Sequence, residues 1–302
     1  MHWLDHLSLR LLRRAAVFEG GWGELAPFEA LADSFKTPHD APLVQLTWQP
    51  SHRERGLLVQ DGTAPSPSTV LPEALRTMHV RRVLTPRPPK RRVIVPPSWG
   101  DAGYGPRMWL VGALVAQGLE PWLLEGAYFG LRAAPINRVE DFFRMGLSHV
   151  EEVRALAQTH HAEGLPTGVA GYSMAGQLGS QAVQSLPFEV PVVAMAASPS
   201  PDVVFCDGPL ATQVQWQVLG DDAKARLRAA MGRVSVLDLP PPKSKRCAVV
   251  VTTQDGIVSP AATERIAAHW GVEPVRIATG HLGAYTLERR RLQRVIAQTM
   301  LD

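Results

Sequence analysis

Short apolar runs alternate with amphipathic segments over most of the chain beyond residue 90. A run such as TGVAGYS at 167–173 is short and bounded by small residues, whereas the apolar residues of 139–150 recur every three or four positions. Runs of the first kind indicate buried strands, and the second period indicates a helix. Strands that alternate with helices of this length imply right-handed crossovers. The pattern therefore predicts an α/β fold, with a mainly parallel sheet covered by helices on both faces.

The individual elements follow from the same pattern. The predicted strands are RRVIVPP, EPWLLEGAYFG, TGVAGYS, VPVVAMAAS, RCAVVVTTQD and EPVRIAT. The predicted helices are RMWLVGALVAQG, a long helix from Val139 to about His161, MAGQLGSQAVQSL, SPAATERIAAHW and a final YTLERRRLQRVIAQTM. Upstream, MHVRRVLTP and RRVIVPP flank RPPK, and two β-rich runs joined by a short Pro-containing turn predict antiparallel strands.

Residues 202–245 interrupt the alternation. They lie between two predicted strands and contain LATQVQWQVLG and DDAKARLRAAMGRV, which have a helical pattern but fall outside the repeating unit. We interpret this stretch as a small helical cap over one edge of the domain. The expected organisation is an N-terminal helical extension over residues 1–49, followed by one α/β domain over residues 50–302 with the cap inserted at about 202–245.

The N-terminal segment is amphipathic. Apolar residues recur at helical spacing at positions 4, 7, 11, 15 and 18 (Leu, Leu, Leu, Ala and Phe), and basic residues lie on the other face. The pattern ends at Gly20–Gly21. Such a helix either packs on its own domain or lies on a membrane surface. We favour packing, because that is the commoner fate of an amphipathic helix.

The composition argues against several classes of protein. The 302 residues include 31 Lys or Arg and 28 Asp or Glu, mixed along the chain, and a net charge of +3 falls short of what a nucleic-acid-binding protein usually carries. The two cysteines, Cys206 and Cys247, form no metal-ligand motif, and we expect neither a metal nor another cofactor. No secretory signal or transmembrane segment is apparent, which predicts a cytoplasmic protein with at most peripheral membrane contact.

The segment GYSMA at 171–175 contains the candidate nucleophile. It follows the GxSxG pattern with Ala175 at the last position, and it stands between a predicted strand and a predicted helix. In such a turn the serine hydroxyl is lifted out of the sheet, and the positions two before and two after it are small because strand and helix cross there. Ser173 is therefore predicted to be a nucleophile rather than an ordinary turn serine.

A serine hydroxyl is a poor nucleophile without a base to take its proton. In this architecture the chain order is serine, acid, histidine. Of the two histidines after Ser173, His281 lies in a Gly-flanked loop before the last helix, whereas His269 ends a helix and is interpreted as a C-terminal helix histidine. The preferred acid is Asp255, where an apolar strand gives way to a loop, and Asp202 after the preceding strand is its rival.

An acyl-transfer site also needs two backbone N–H groups that face the developing oxyanion. One is predicted at Met174, directly after the nucleophile. The other is predicted in the loop after VIVPP, at Trp99, with Ser98 as the alternative. The indole of Trp99 is in addition a candidate wall of the pocket.

These residues resemble a known family. From about residue 80 onward the chain is similar to the α/β-hydrolase superfamily, and within it the chain resembles the α/β-hydrolase domain-containing protein eighteen family, long described as a domain of unknown function. The resemblance is carried by RRAAVFEGGWG, SWGDAGY, LLEGAYFGLR, GYSMAG, DGIVSP and GHLGAY. It implies an α/β-hydrolase fold and a catalytic triad of Ser173, Asp255 and His281.

Several positions qualify the resemblance. Ala175 stands where relatives often have glycine, and Ser98 stands where a second glycine is commoner, which leaves the second oxyanion donor open. The signature LLEGAYFGLR places Glu125 at a strand exit on the active-site side, where we expect it to support the loop, through Arg132, rather than to react. Tyr172, beside the nucleophile, is a further pocket or support candidate.

The expected function is that of a serine hydrolase, which cleaves a carboxylic ester or thioester through an acyl-enzyme on Ser173. The predicted cap, the Trp-rich loops and the basic N-terminal helix favour a lipid or other acyl chain among small-molecule esters. The alternative is a non-catalytic α/β-hydrolase fold used for binding or scaffolding, although a binding role gives no reason to keep all three triad residues. Peptidase activity is a third candidate, and the sequence does not define the oligomeric state.

Overall fold

The structure is a computed structural model, and it describes residues 2–6 and 16–302. The strands in these ranges are β1 (Thr47–Trp48), β2 (His52–Glu54), β3 (Leu57–Pro65), β4 (Thr77–Val83), β5 (Arg91–Val95), β6 (Leu119–Leu124), β7 (Thr167–Tyr172), β8 (Val192–Met195), β9 (Cys247–Thr252) and β10 (Val275–Ile277). Numbered from Ala26, the α-helices are α1 (Ala26–Ser34), α2 (Gly105–Val111), α3 (Val139–Ala162), α4 (Met174–Gln184), α5 (Asp202–Phe205), α6 (Trp216–Leu219), α7 (Ala223–Gly232), α8 (Pro260–Trp270), α9 (His281–Thr286) and α10 (Arg289–Leu301).

The strands of the described ranges form one sheet in the order β1-β3-β4-β6-β5-β7-β8-β9-β10, with β2 paired to β3. From β6 to β10 every neighbouring pair is parallel, whereas β1 to β4 pair antiparallel. The predicted mainly parallel sheet is therefore confirmed. Strands β4 and β5 run in opposite directions, but they are not hydrogen-bonded to each other, because β6 lies between them, antiparallel to β4 and parallel to β5.

Helices cover both faces of the sheet, as predicted. Successive residues of a strand point to opposite faces, so Ile94 of β5 packs into one apolar core while Val93 and Val95 pack into the other. Helices α3 and α4 contribute to the first core, and α2 and α10 contribute to the second. All residues of β6 and β7 are buried, which is what a sheet covered on both faces requires.

Two segments that were predicted as single helices are divided. Helix α2 ends at Val111, and a 3₁₀-helix continues over Gly112–Gln117. The last predicted helix is split into α9 and α10, because the chain leaves helical geometry at Glu288. As a result His281, which was predicted to lie in a loop, is the first residue of the short helix α9.

The helix predicted over positions 4–18 falls partly outside the described residues, which omit 7–15. Residues 3–6 are helical. The prediction that the helix reaches Phe18 is wrong, because Val17 forms a parallel bridge with Val214 and Phe18 has a φ of 67°. The ring of Phe18 is buried in the first core. Within residues 2–6 and 16–302, no helix is both long enough and apolar enough to span a bilayer.

The chain between β8 and β9 departs from the β–α alternation. It contains α5, α6 and α7 together with 3₁₀-helices at Pro209–Thr212 and Val236–Asp238. Val204, Phe205 and Leu210 of this segment line a cavity at the carboxyl ends of the parallel strands, and that cavity holds the candidate site.

Candidate active site

Ser173 occupies a sharp turn between β7 and α4. Its φ of 57° and ψ of −127° are strained for a residue with a side chain. A Cβ at Gly171 would overlap the backbone of Ala175, and a Cβ at Gly176 would lie 2.8 Å from that of Ala197. The crossing of strand and helix therefore excludes side chains at these glycines, and it holds the serine at the carboxyl end of β7.

A histidine and an aspartate meet at the carboxyl ends of β9 and β10. His281 Nδ1 lies 2.7 Å from Asp255 Oδ2, and both side chains are buried. The same Oδ2 accepts the hydroxyl of Thr252 at 2.6 Å, and Oδ1 accepts the N–H groups of Ile257 and Val258 at 2.8 Å each. The carboxylate of Asp255 is thus fixed from several sides.

These contacts decide the charge of Asp255. Burial alone would raise the pKa of the carboxyl, but attraction to the imidazolium form of His281 and the hydrogen bonds from His281, Thr252 and Val258 outweigh burial and hold the pKa below its usual value. An ionised Asp255 requires His281 Nδ1 to be the donor of their shared hydrogen bond. The other ring nitrogen, Nε2, is then left to accept a proton.

Ser173 and His281 line the same cavity, which has a volume of about 310 Å³. Most of its other walls are apolar or aromatic, and they include Trp99, Phe142, Val204, Phe205, Leu210 and Ile257. Among the described residues, no hydrogen bond joins the Ser173 hydroxyl to the imidazole. Such a bond is often long in a free enzyme and tightens when substrate binds.

The loop after β5 lies against the serine turn. The Ser98 hydroxyl donates to the carbonyl oxygen of Tyr172 at 2.7 Å, and the Ser98 N–H lies 3.5 Å from Asp101 Oδ2. The N–H of Trp99 makes no backbone hydrogen bond within the described ranges. Met174 is the first residue of α4, so its N–H has no acceptor within that helix.

The indole of Trp99 forms one wall of the cavity. It packs edge-on against Phe129 and Phe205, with ring centroids 5.8 and 5.3 Å away, and it is tilted at 5.9 Å from Phe142. Such aromatic pairs prefer edge-to-face geometry, which fixes the orientation of each ring. The loop that carries Trp99 is therefore anchored in the apolar core.

Tyr172 connects the serine turn to the histidine. Its hydroxyl donates to the backbone carbonyl oxygen of His281 at 2.5 Å, and its ring lies 5.2 Å from the imidazole and 5.1 Å from the ring of Tyr285. Burial, together with the charges of Asp255 and Asp5, raises the pKa of Tyr172 well above its usual value. Tyr172 is therefore a neutral donor that holds α9 against the end of β7.

Glu125 is fully buried and does not line the cavity. Its Oε1 accepts the N–H groups of Gly103 and Leu131 at 3.0 and 3.1 Å, and its Oε2 lies 3.6 Å from Arg107. Arg107 also pairs with Asp101, at 2.6 Å, in the loop beside the serine turn. These contacts connect the loop after β6 to the loop after β5.

Arg132 is buried next to Glu125 but binds its backbone rather than its carboxylate. One Arg132 nitrogen donates to the carbonyl oxygen of Glu125, and the guanidinium forms a two-pronged pair with Glu152 of α3 at 2.6 and 2.8 Å. The arginine therefore fixes the loop after β6 on the long helix, at a distance from the reacting groups.

The two rival residues lie elsewhere. Asp202 accepts the hydroxyl of Ser200, and His269 Nε2 lies 2.8 Å from the carbonyl oxygen of Leu239. Neither rival lines the cavity. Within the described ranges, no group of three or more histidine, cysteine, aspartate or glutamate side chains is arranged to hold a metal ion.

One residue at this site was missed in the sequence. The buried carboxylate of Asp5 accepts the N–H groups of Gly256, His281 and Leu282 at 2.9, 2.8 and 2.9 Å. It stands 276 positions before His281, and no local motif marks it.

The sheet order, the serine on the strand–helix turn and the histidine after the last strand define an α/β-hydrolase. The chain belongs to the family described as Alpha/beta hydrolase domain containing 18, whose model matches residues 15–230. The matched range includes Ser173 and ends before Asp255 and His281.

Solved structures of similar fold include two acetyl xylan esterases. Acetyl xylan esterase 1 from Thermoanaerobacterium sp. has a TM-score of 0.58 at 16% identity, over 95% of this chain and 98% of that chain. The enzyme from Paenibacillus sp. has a TM-score of 0.61 at 12% identity, over 96% and 99%. The acylaminoacyl peptidase of Pyrococcus horikoshii matches at 0.50 and 12% identity, over 85% of this chain and 41% of that chain. At these identities the likeness shows the fold, and the predicted α/β-hydrolase fold is confirmed.

Proposed function

We propose that this protein is a serine hydrolase that cleaves a carboxylic ester or thioester through an acyl-enzyme on Ser173. One observation carries the proposal. Ser173, on a turn with positive φ, lines the same cavity as His281, whose Nδ1 is held 2.7 Å from the buried carboxylate of Asp255. A nucleophile, a base and a group that orients the base are the components that acyl transfer requires.

Acylation begins when His281 Nε2 accepts the hydroxyl proton of Ser173 as Oγ bonds to the carbonyl carbon of the ester. The π-electron pair of the carbonyl moves to its oxygen, which gives a tetrahedral intermediate with an oxyanion. Asp255 keeps Nδ1–H as a donor and stabilises the imidazolium. When the intermediate collapses, the C–O or C–S bond breaks, and the leaving alkoxide or thiolate takes the proton from Nε2.

Deacylation repeats these steps with water. His281 Nε2 accepts a proton from water while the water oxygen bonds to the acyl carbon. The second intermediate then expels Ser173 Oγ, which recovers its proton from the imidazolium, and the carboxylic acid leaves. The base therefore ends each cycle neutral, as it began.

We assign the N–H groups of Met174 and Trp99 as the two donors that bind the oxyanion. Ser98 is the weaker choice for the second donor, since its N–H is directed towards Asp101 and its hydroxyl is bound to Tyr172. In this interpretation Ser98 holds the oxyanion loop against the serine turn, while Trp99 both donates and walls the pocket. Glu125 and Arg132 hold the loops after β5 and β6 in place without lining the cavity.

The walls of the cavity favour an apolar acyl group. Phe205 and Leu210 belong to the segment 202–245, which we propose is a cap on the hydrolase domain of residues 50–302, with residues 1–49 as an extension. A pocket lined mainly by apolar side chains gains affinity by burying hydrocarbon. We therefore propose a substrate with an acyl chain, such as a lipid ester.

The test is a chain-length panel of p-nitrophenyl esters on the wild type, on Ser173→Ala and on Ser259→Ala. Ser259 is exposed and its side chain caps no helix, so it is the matched control. We expect kcat to fall by roughly 10⁴- to 10⁶-fold in Ser173→Ala and to be unchanged in Ser259→Ala. Turnover that survives in Ser173→Ala would contradict the proposal, and ligand binding without turnover of any ester or peptide would favour the binding alternative.

A further inference from the structure

A second buried carboxylate, that of Asp5, binds both the loop that carries Asp255 and the start of α9, which carries His281. Asp5 Oδ2 accepts the N–H of Gly256 at 2.9 Å and the N–H of His281 at 2.8 Å, and Oδ1 accepts the N–H of Leu282 at 2.9 Å. Gly256 directly follows Asp255. One side chain therefore binds the backbone beside the acid and the backbone of the base itself.

The burial of Asp5 and the packing around it fix its carboxylate in place. Asp5 has no exposed surface, and a buried carboxylate is tolerated only where hydrogen bonds replace its hydration. A Cβ at Gly280 would overlap Asp5 and His2, so the glycine before His281 provides the room that Asp5 occupies. The N–H of His2 adds a bond to the carbonyl oxygen of Gln254 at 3.0 Å, on the same loop as Asp255.

The His281 side chain depends on this arrangement. His281 is the first residue of the short helix α9, so its own N–H and that of Leu282 have no acceptors within the helix. Asp5 supplies those acceptors, while Tyr172 holds the carbonyl oxygen of His281. The backbone of the base is thus fixed on both sides by buried hydrogen bonds.

We infer that Asp5 is a positioning residue, which sets the position of the His281 imidazole relative to Asp255 and to Ser173. The inference rests on the proposed function. It assigns to the N-terminal segment a part in the active site, since the residue that joins the acid loop to the base helix comes from that segment. The range of this chain that the family model matches begins at residue 15 and does not include Asp5.

The test compares full-length Asp5→Ala and Asp5→Asn with the wild type and with His6→Ala, which changes an exposed neighbour. kcat and KM are measured on the best ester of the panel, with kcat expressed per serine titrated to completion by a fluorophosphonate. A misplacement of about 1 Å at a reacting group costs on the order of 100-fold in rate. We expect Asp5→Ala to lose about 10- to 100-fold in kcat at nearly constant KM, and His6→Ala to lose nothing.

Asp5→Asn provides a graded second variant. Its single amide oxygen can still accept at the Oδ2 position but not at both positions, so its kcat should lie between those of the wild type and Asp5→Ala. If Asp5→Ala fails to fold by circular dichroism, Asp5→Asn decides the matter. Full kcat per titrated serine in a folded Asp5 variant would overturn the inference.

A spectroscopic readout separates this inference from the proposed function. The proton of His281 Nδ1, shared with Asp255, should give a downfield proton resonance that Asp255→Asn abolishes. We expect Asp5→Ala to broaden or remove this resonance, and His6→Ala to leave it unchanged. If no ester is turned over by the wild type, the proposed function fails while the resonance still decides the role of Asp5. An unaltered resonance in folded Asp5→Ala would overturn the inference.

Discussion

The Asp255 carboxylate accepts hydrogen bonds from Thr252, Ile257 and Val258 as well as from His281, so its position does not depend on the histidine. Asp255→Asn should keep the fold and most of the substrate affinity. It cannot hold the imidazole in the tautomer that leaves Nε2 free, so kcat should fall by roughly 10⁴-fold while KM changes little. Steady-state kinetics on the best ester measures both.

Asp202→Asn is the matched control for this change. Asp202 binds the hydroxyl of Ser200 and lies outside the cavity wall, so its loss should leave kcat near that of the wild type. If Asp202→Asn were the damaging variant and Asp255→Asn nearly silent, the acid would be wrongly assigned. The assignments of serine and histidine would stand.

The residues of the site differ in how far the sequence reveals them. Ser173 is marked by the small residues that the turn requires. This constraint is local and can be read from the five residues 171–175. Asp255 and His281 are marked only by their places after strands, and for that reason Asp202 and His269 had to be weighed against them. That Asp255 and His281 lie 2.7 Å apart is visible only in the fold. Asp5 carries no local mark, because its role arises from contacts with residues more than 250 positions away.

At the level of secondary structure, the buried pair of Arg132 and Glu152 joins the loop after β6 to α3. Removing one partner leaves a buried charge without compensation, so Arg132→Met should lower the free energy of unfolding by about 3–5 kcal/mol. Arg132→Met combined with Glu152→Met should recover much of that loss. Urea unfolding measures each variant.

Arg228 and Asp207 form a comparable pair on the surface, with both side chains about half exposed. Arg228→Met should cost less than about 1 kcal/mol, because solvent screens the pair. An equal cost for Arg132→Met and Arg228→Met would show that the buried pair does not hold the loop.

The strands and helices themselves were predicted more reliably than the order in which the strands pair in the sheet. Apolar runs and helical periods are local, and they gave β5 to β10 and the long helix α3. The pairing of β4 with β6 was not predictable, since the crossover through α2 inserts β6 between two strands that are consecutive in the sequence. The separation of α9 from α10 was missed because the helical spacing of apolar residues continues across Glu288.

The stability of the whole molecule should depend on the pH through Glu151. Burial raises the pKa of Glu151 to about 7, against the opposing effects of Ser68 and Arg154, from an ordinary value of 4.5. Between these values the folded state holds a proton that the unfolded state has lost. The free energy of unfolding should therefore fall as the pH rises from about 4.5 to 7.

Glu151→Gln removes this dependence. The variant should match the wild type at pH 4 and exceed it by about 3 kcal/mol at pH 8, because the pKa shift of Glu151 is worth about 1.4 kcal/mol per pKa unit. Urea unfolding of the wild type and the variant at pH 4 and at pH 8 measures the difference in their free energies of unfolding. A stability difference between wild type and variant that is the same at pH 4 and pH 8 would show that Glu151 is not the group responsible.

The proposal as a whole stands on the reactivity of Ser173, and covalent labelling with a fluorophosphonate measures that reactivity without knowledge of the substrate. Intact-mass analysis of the wild type should show one adduct per chain, and peptide mapping should place it on Ser173. Ser173→Ala should remain unlabelled, and His281→Ala should be labelled far more slowly, because its serine lacks a base. A folded wild type that takes up no probe, or an adduct on any other residue, would contradict the assignment of Ser173 as the nucleophile.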